Sequence, residues 1–275
     1  MEFHEILGAV REHAPLVQCI TNFVTVNDCA NILLAAGASP TMAQDIREVE
    51  EAVAVANGLV CNLGAIDLVD SMILAGKRAN ELGIPVVLDP VAAGGTALRR
   101  QLSAKLLEEV RFSAIRGNAS EIRALAGQES LGSGVDVAAW DTITPENLPQ
   151  SVELIRSLAK RTGAVIAVSG AMDVVSDGTQ TILLHNGCAT MARITGSGCM
   201  LTTLIGAFCA AVPEYPFEAT CAAMAAMGVC GEIAEEKRLK NKTGNATFRT
   251  DLIDAVFNLT EQELKERIRY EIYQG

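Results

Sequence analysis

GLVCNLGAIDLVDSMILAGKRANELGIPVVLDP, residues 58–90, contains one complete strand–helix–strand unit. Gly58–Asn62 is a short apolar run of β type. Residues 67–83 carry apolar positions at helical spacing, and Pro85–Asp89 is a second apolar run. Pro90 ends that second strand at once, because proline has no N–H to give to a ladder. A short apolar run, then a helix, then another short apolar run is the pattern of parallel strands joined by a crossover.

The same alternation extends to both sides. Further strands are expected at Leu16–Ile20, Ala114–Arg116, Ala164–Ser169, Val174–Ser176 and Gln180–His185. Helical patterns fall near 27–37, 46–56, 98–110, 119–127 and 147–162. After His185 the chain turns helical, with patterns at 198–211, 216–239, 249–258 and 260–272. The fold class expected is α/β, with a mostly parallel central sheet flanked by helices and a helix-rich C-terminal part. One domain spanning residues 1–275 is the simplest reading. The Gly- and Ser-rich stretch 127–142 reads as a surface loop or short lid.

Composition narrows the function. The 275 residues are 49% hydrophobic, with a formal charge of -11. The chain contains no Lys/Arg block, so neither nucleic acid nor an anionic membrane is expected as a partner. Ala219–Ala234 is apolar but interrupted by Gly and Cys and flanked by Glu, and reads as a buried close-packed helix. The eight cysteines form no CxxC pair and sit mostly in apolar surroundings, as expected of free thiols in a reducing, cytoplasmic compartment. Only three histidines occur, too few for His-based triads or His-rich metal sites.

In open α/β sheets, ligands collect beyond the carboxyl ends of the strands. Asp89, Arg116 and Ser169 each end a predicted strand. Asn118 and Glu121 follow Arg116 with the spacing of a capping box. Two carboxylates, an arginine and a hydroxyl then share one rim. The turn Gly196-Ser197-Gly198 runs directly into a helix and offers orphan N–H donors and a positive dipole end to an anion such as phosphate. It is neither a P-loop nor a dinucleotide fingerprint. In-line phosphoryl transfer needs little more than positioned donors, a cation and an arginine.

Four stretches in this order, CITNFVTVNDCANILLAAGASPTM (19–42), LDPVAAGGT (88–96), AIRGNASEI (114–122) and TGSGCMLT (195–202), resemble hydroxyethylthiazole kinases of the ribokinase-like superfamily. The resemblance covers about residues 15–260. It implies ATP-dependent phosphorylation of the hydroxyl of 4-methyl-5-(2-hydroxyethyl)thiazole, for thiamine salvage. It implies Asn22 and Met42, with Gly196, at the thiazole, and Arg116, Ser169 and Asn118 at ATP. It also implies Asp89 and Glu121 at Mg²⁺ through water, Gly196, Ser197 and Gly198 as the anion hole, and a homotrimer with sites between subunits. Relatives on this fold usually carry Asp where this chain has Cys199. The alternatives are a hydroxymethylpyrimidine-type kinase, a dehydratase of hydrated nicotinamide cofactors, and a non-catalytic nucleotide sensor.

Cys199 is open to three readings: packing, covalent nucleophile, or weak base and orienter of the substrate hydroxyl. The resemblance favours the third. A helix N-terminus is expected to lower its thiol pKa, and a nearby triphosphate to raise it again.

Overall fold

The computed structural model describes residues 1–127 and 142–275. In chain order the elements are α1 (Phe3–His13), β1 (Leu16–Ile20), α2 (Val26–Ala36), β2 (Ser39–Thr41), α3 (Val49–Ala54), β3 (Gly58–Asn62), α4 (Val69–Leu82), β4 (Val86–Asp89), α5 (Ala97–Glu109), β5 (Ala114–Asn118) and α6 (Ala119–Ala126). There follow α7 (Leu148–Thr162), β6 (Val165–Ser169), β7 (Asp173–Ser176), β8 (Thr181–Leu184), α8 (Ser197–Ala211), α9 (Pro216–Asn241), α10 (Asn245–Asn258), α11 (Glu261–Arg267) and β9 (Tyr270–Ile272).

The strands among the described residues form one sheet of nine, in the order β2-β1-β3-β4-β5-β6-β7-β8-β9. Pairing is parallel from β2 through β6 and antiparallel from β6 to β9. The central strands β3 and β4 are buried along their whole length, which is why they read as unbroken apolar runs rather than alternating ones. One core forms on each face. On one side α1, α2, α8, α9 and α10 supply Ile6, Leu33, Phe208 and Phe248. On the other, α3 to α7 supply Val53, Met72, Leu106 and Ile155.

Three short elements escaped the sequence pattern. α1 buries Ile6, Leu7 and Val10 and begins in a capping box between Glu2 and Glu5. β2 is a three-residue edge strand held beside β1. The third overturns an expectation: the helical pattern at 260–272 is helical only over Glu261–Arg267, after which Tyr270–Ile272 becomes a strand. Pairing with β8 wins there over local helical preference, which is only a weak prior. The expected helix at 46–56 is likewise shorter, Val49–Ala54. The lid reading of 127–142 falls almost wholly on residues 128–141, outside the described residues.

α9 is the one described helix long and apolar enough to cross a membrane, and 83% of its most apolar window is buried inside the protein. Its hydrophobicity is used in the core, as the reading of Ala219–Ala234 required. All eight cysteines are free.

Candidate active site

The parallel strands β1, β3, β4, β5 and β6 bring Asn22, Asn62, Asp89, Asn118 and Ser169 to one rim, at or just beyond their carboxyl ends. Register does the placing. Asn62 pairs across from Asp89, and Asn118 from Ser169. The N-terminus of α8 arrives at the same rim. Gly196 is its cap residue, with φ of +83°, a conformation that favours glycine. A Cβ there would also stand 2.7 Å from Thr25 Cγ2. No side chain caps α8 among the described residues, so its first-turn N–H groups are not satisfied by a protein side chain. That is the state expected of an anion hole.

On one side of this helix start lies a cleft of roughly 630 Å³. Arg116, Ser169, Ser197 and Gly198 line it, together with Cys188, Met191, Met224 and Met227. Arg116 Nη2 donates a hydrogen bond to Ser169 Oγ. Its Nε is buried and has no hydrogen-bond partner among the described residues. The cleft also contains Asp173, whose carboxylate accepts from Gly170 N at 2.8 Å and is pushed up to about 7 by burial.

On the other side is a network of carboxamides. Asn22 Nδ2 donates to Asn62 Oδ1 at 3.1 Å and, more weakly, to Cys199 Sγ at 3.6 Å. Asn62 Nδ2 donates to Asp89 Oδ2 at 2.9 Å and to Cys199 Sγ at 3.2 Å. Thr202 Oγ1 donates to the same Asp89 oxygen at 3.0 Å. Asp89 is 1% exposed. Burial raises its carboxyl to about 6, Arg116 opposes that rise, and the negative charge of Glu121 adds to it.

The expected lowering of the Cys199 thiol does not hold. Burial first and the Asp89 charge second raise it, against the amide and hydroxyl hydrogen bonds that lower it. Desolvation of the charged form outweighs the helix end. The sulfur is therefore a protonated thiol at neutral pH.

Other predicted residues are placed less directly. Glu121 and Asn118 do form the capping box: Asn118 Oδ1 accepts from Glu121 N at 2.8 Å, and Glu121 Oε2 from Asn118 N at 2.9 Å. Glu121 Oε1 accepts from Ala92 N at 2.9 Å, tying the loop after β4 to α6. The Asn118 side chain is thus spent on the cap and lies outside the lining of the cleft. Met42 follows β2 and packs, half-buried, against the core on the face built by α1, α2, α8, α9 and α10. Sequence reading missed Asn62, Thr202, Thr25 and Asp173. Asn62 had a signal: it ends a predicted strand at the same rim as Asp89.

A mostly parallel α/β sheet, an uncapped helix start and a cleft holding an arginine and a hydroxyl form a site suited to a phosphorylated small molecule. The hydroxyethylthiazole kinase family model matches residues 7–262, and the chain belongs to that family. It is 47% identical to a hydroxyethylthiazole kinase of Clostridium acetobutylicum over 98% of this chain and 99% of the relative. It is 46% identical to one of Methanocella arvoryzae over 96% of each. The solved hydroxyethylthiazole kinase of Pyrococcus horikoshii superposes with a TM-score of 0.86, at 36% identity, covering 99% of both chains. The ADP complex of a Bacillus subtilis pyridoxal kinase shares the fold alone, with a TM-score of 0.58 at 16% identity over 78% of this chain and 90% of that one.

Proposed function

We infer that the chain, acting as one catalytic domain over residues 1–275, transfers the γ-phosphoryl group of ATP to the hydroxyl of 4-methyl-5-(2-hydroxyethyl)thiazole. The observation that carries this reading is the position of the α8 N-terminus, with a nucleotide-sized cleft on one side and the Asn22–Cys199 corner on the other. The alcohol enters at that corner beside Gly196, with Met42 on the pocket wall. Its oxygen attacks the γ-phosphorus in line, a new P–O bond forms as the bond to the β-phosphate breaks, ADP leaves, and the hydroxyl proton passes to the transferred phosphoryl group and from there to water. First-turn amides around Gly196–Cys199 and the Arg116 guanidinium hold the charge on the transferred group. Ser169 holds Arg116 in place.

A loose transition state requires little removal of the hydroxyl proton before the new bond forms. A protonated Cys199 thiol therefore serves as an orienter of the hydroxyl, and a strong base is not needed. Asp89 and Glu121 fit a divalent ion through water rather than directly, because both Glu121 oxygens and one Asp89 oxygen already accept hydrogen bonds. Mg²⁺ held there on the nucleotide would neutralise phosphate charge.

A homotrimer with the alcohol pockets between subunits accords with Phe23 and Val24, which are 90% and 56% exposed directly after Asn22. Apolar side chains so exposed beside a site are suited to a neighbouring subunit. A cytoplasmic location accords with eight free thiols.

The test is ADP release with Mg-ATP and the thiazole alcohol, with product identified by mass and hydroxymethylpyrimidine run in parallel. Thiazole phosphate alone is the expected product. Product from the pyrimidine alone would overturn the substrate assignment and leave the kinase class standing.

A further inference from the structure

Asn62 takes no part in the transfer as described so far, yet its side chain uses every hydrogen-bonding site that a carboxamide has. Its two N–H groups go to Asp89 Oδ2 and to Cys199 Sγ, at 2.9 and 3.2 Å. Its oxygen accepts from Asn22 Nδ2 at 3.1 Å and from Gly64 N at 2.9 Å. Two donors and a doubly accepting oxygen on one planar group occur only in Asn and Gln, and Gln is one methylene too long for this position. The residue is 1% exposed, so water does not replace a lost partner cheaply. The surrounding chain is shaped to fit it. A Cβ at Gly64 would lie 2.6 Å from Asn62 Oδ1 and 2.9 Å from Asn22 Nδ2, so only glycine lets the amides close up.

We propose that Asn62 is the positioning residue of the transfer step: its carboxamide sets the Cys199 sulfur in fixed relation to Asp89 on one side and Asn22 on the other. By donating to the sulfur and to Asp89 Oδ2 at once, the amide holds the thiol against the carboxylate, which is itself a hydrogen-bond partner of Cys199. Asn62 touches no reacting atom. It acts through Cys199. The inference rests on the thiazole-kinase reading of this site.

The test is a double-mutant cycle on the full-length protein, with kcat and both KM values measured. Asn62→Leu removes all four hydrogen bonds at similar volume and is expected to lower kcat about 10²-fold, the cost of a misplacement near 1 Å. KM for ATP should stay within about twofold, since the nucleotide cleft does not include this residue. In a Cys199→Ala background the same change should cost less than about fivefold, because the group it positions is gone. Gly64→Ala displaces the amide without removing it. It should repeat the pattern more mildly, about tenfold in kcat, and serves if Asn62→Leu does not fold. Equal losses in the presence and absence of Cys199 would overturn the proposal, as would a loss seen in KM for ATP or only in thermal stability. A wild-type enzyme that makes no thiazole phosphate would instead overturn the functional reading, and this inference with it.

Discussion

The guanidinium of Arg116 lies directly against the backbone of Gly198, such that a Cβ on that glycine would stand 3.2 Å from Arg116 Cζ and closer still to Nη1. The helix start and the arginine therefore form one anion-binding surface, although 82 positions separate them in the chain. Gly198→Ala displaces the Arg116 guanidinium from this surface. The expected outcome is a KM for ATP raised at least about tenfold, with KM for the alcohol changed little. Steady-state kinetics with each substrate varied in turn would check it. An unchanged KM for ATP would separate Arg116 from the nucleotide.

Cys199 accepts from two amides and lies beside Asp89. Cys199→Ala is expected to lower kcat by about 10–10² while leaving the melting temperature within about 2 °C, because a half-buried thiol contributes little packing. Cys199→Asp puts a carboxylate where the two amides can donate to it, and should keep or raise turnover. Turnover of the alanine variant equal to wild type would return Cys199 to a packing role.

Asp89 makes stability depend on pH in a stated direction. Its carboxyl is held up at about 6 in the fold, against about 4 in the unfolded chain. Between those values the native state keeps a proton that the unfolded state has lost. The contribution of this group to stability therefore falls as pH rises through that window and stays low above it. Asp89→Asn keeps an oxygen to accept from Asn62 and Thr202. It should stabilise the ligand-free protein by about 2–3 kcal/mol near pH 7.5, by almost nothing near pH 4, and should abolish turnover. Urea melts at the two pH values would measure the difference, and an equal gain at both would refute it.

Phe23 offers the test of assembly. Phe23→Asp puts a charge at a side chain that is 90% exposed in the single chain. If this surface is covered by a neighbouring subunit, sedimentation equilibrium should shift from three times the chain mass to smaller species, with activity falling in step. A wild-type chain that sediments as a monomer would remove the trimer, and an unchanged mass for the variant would place the contact elsewhere.

Much of this protein is legible in its amino-acid sequence. Strands buried on both faces must be continuous apolar runs, and crossover helices must show the 3.6-residue period, so β3, α4 and β4 can be read from residues 58–90 alone. Strand ends are marked by the residues that stop them, which exposes Asp89 and Ser169 as rim residues; Arg116, expected to end its strand, lies two residues inside it, because pairing with β6 carries β5 on to Asn118. A glycine turn running into an apolar helix exposes Gly196–Cys199. These are local signals, and chain order preserves them.

How those pieces meet is settled in three dimensions. Strand register sets Asn62 opposite Asp89, and the packing of α8 then brings Cys199 to the same amide across 137 residues of sequence. No local pattern encodes that distance. Pairing with β8 turns the end of a helical pattern into β9, because a ladder of hydrogen bonds outweighs a weak propensity. Burial also reverses the expected shift of the Cys199 thiol. Desolvation depends on every neighbour at once, whereas the helix end visible in the sequence is one neighbour among them.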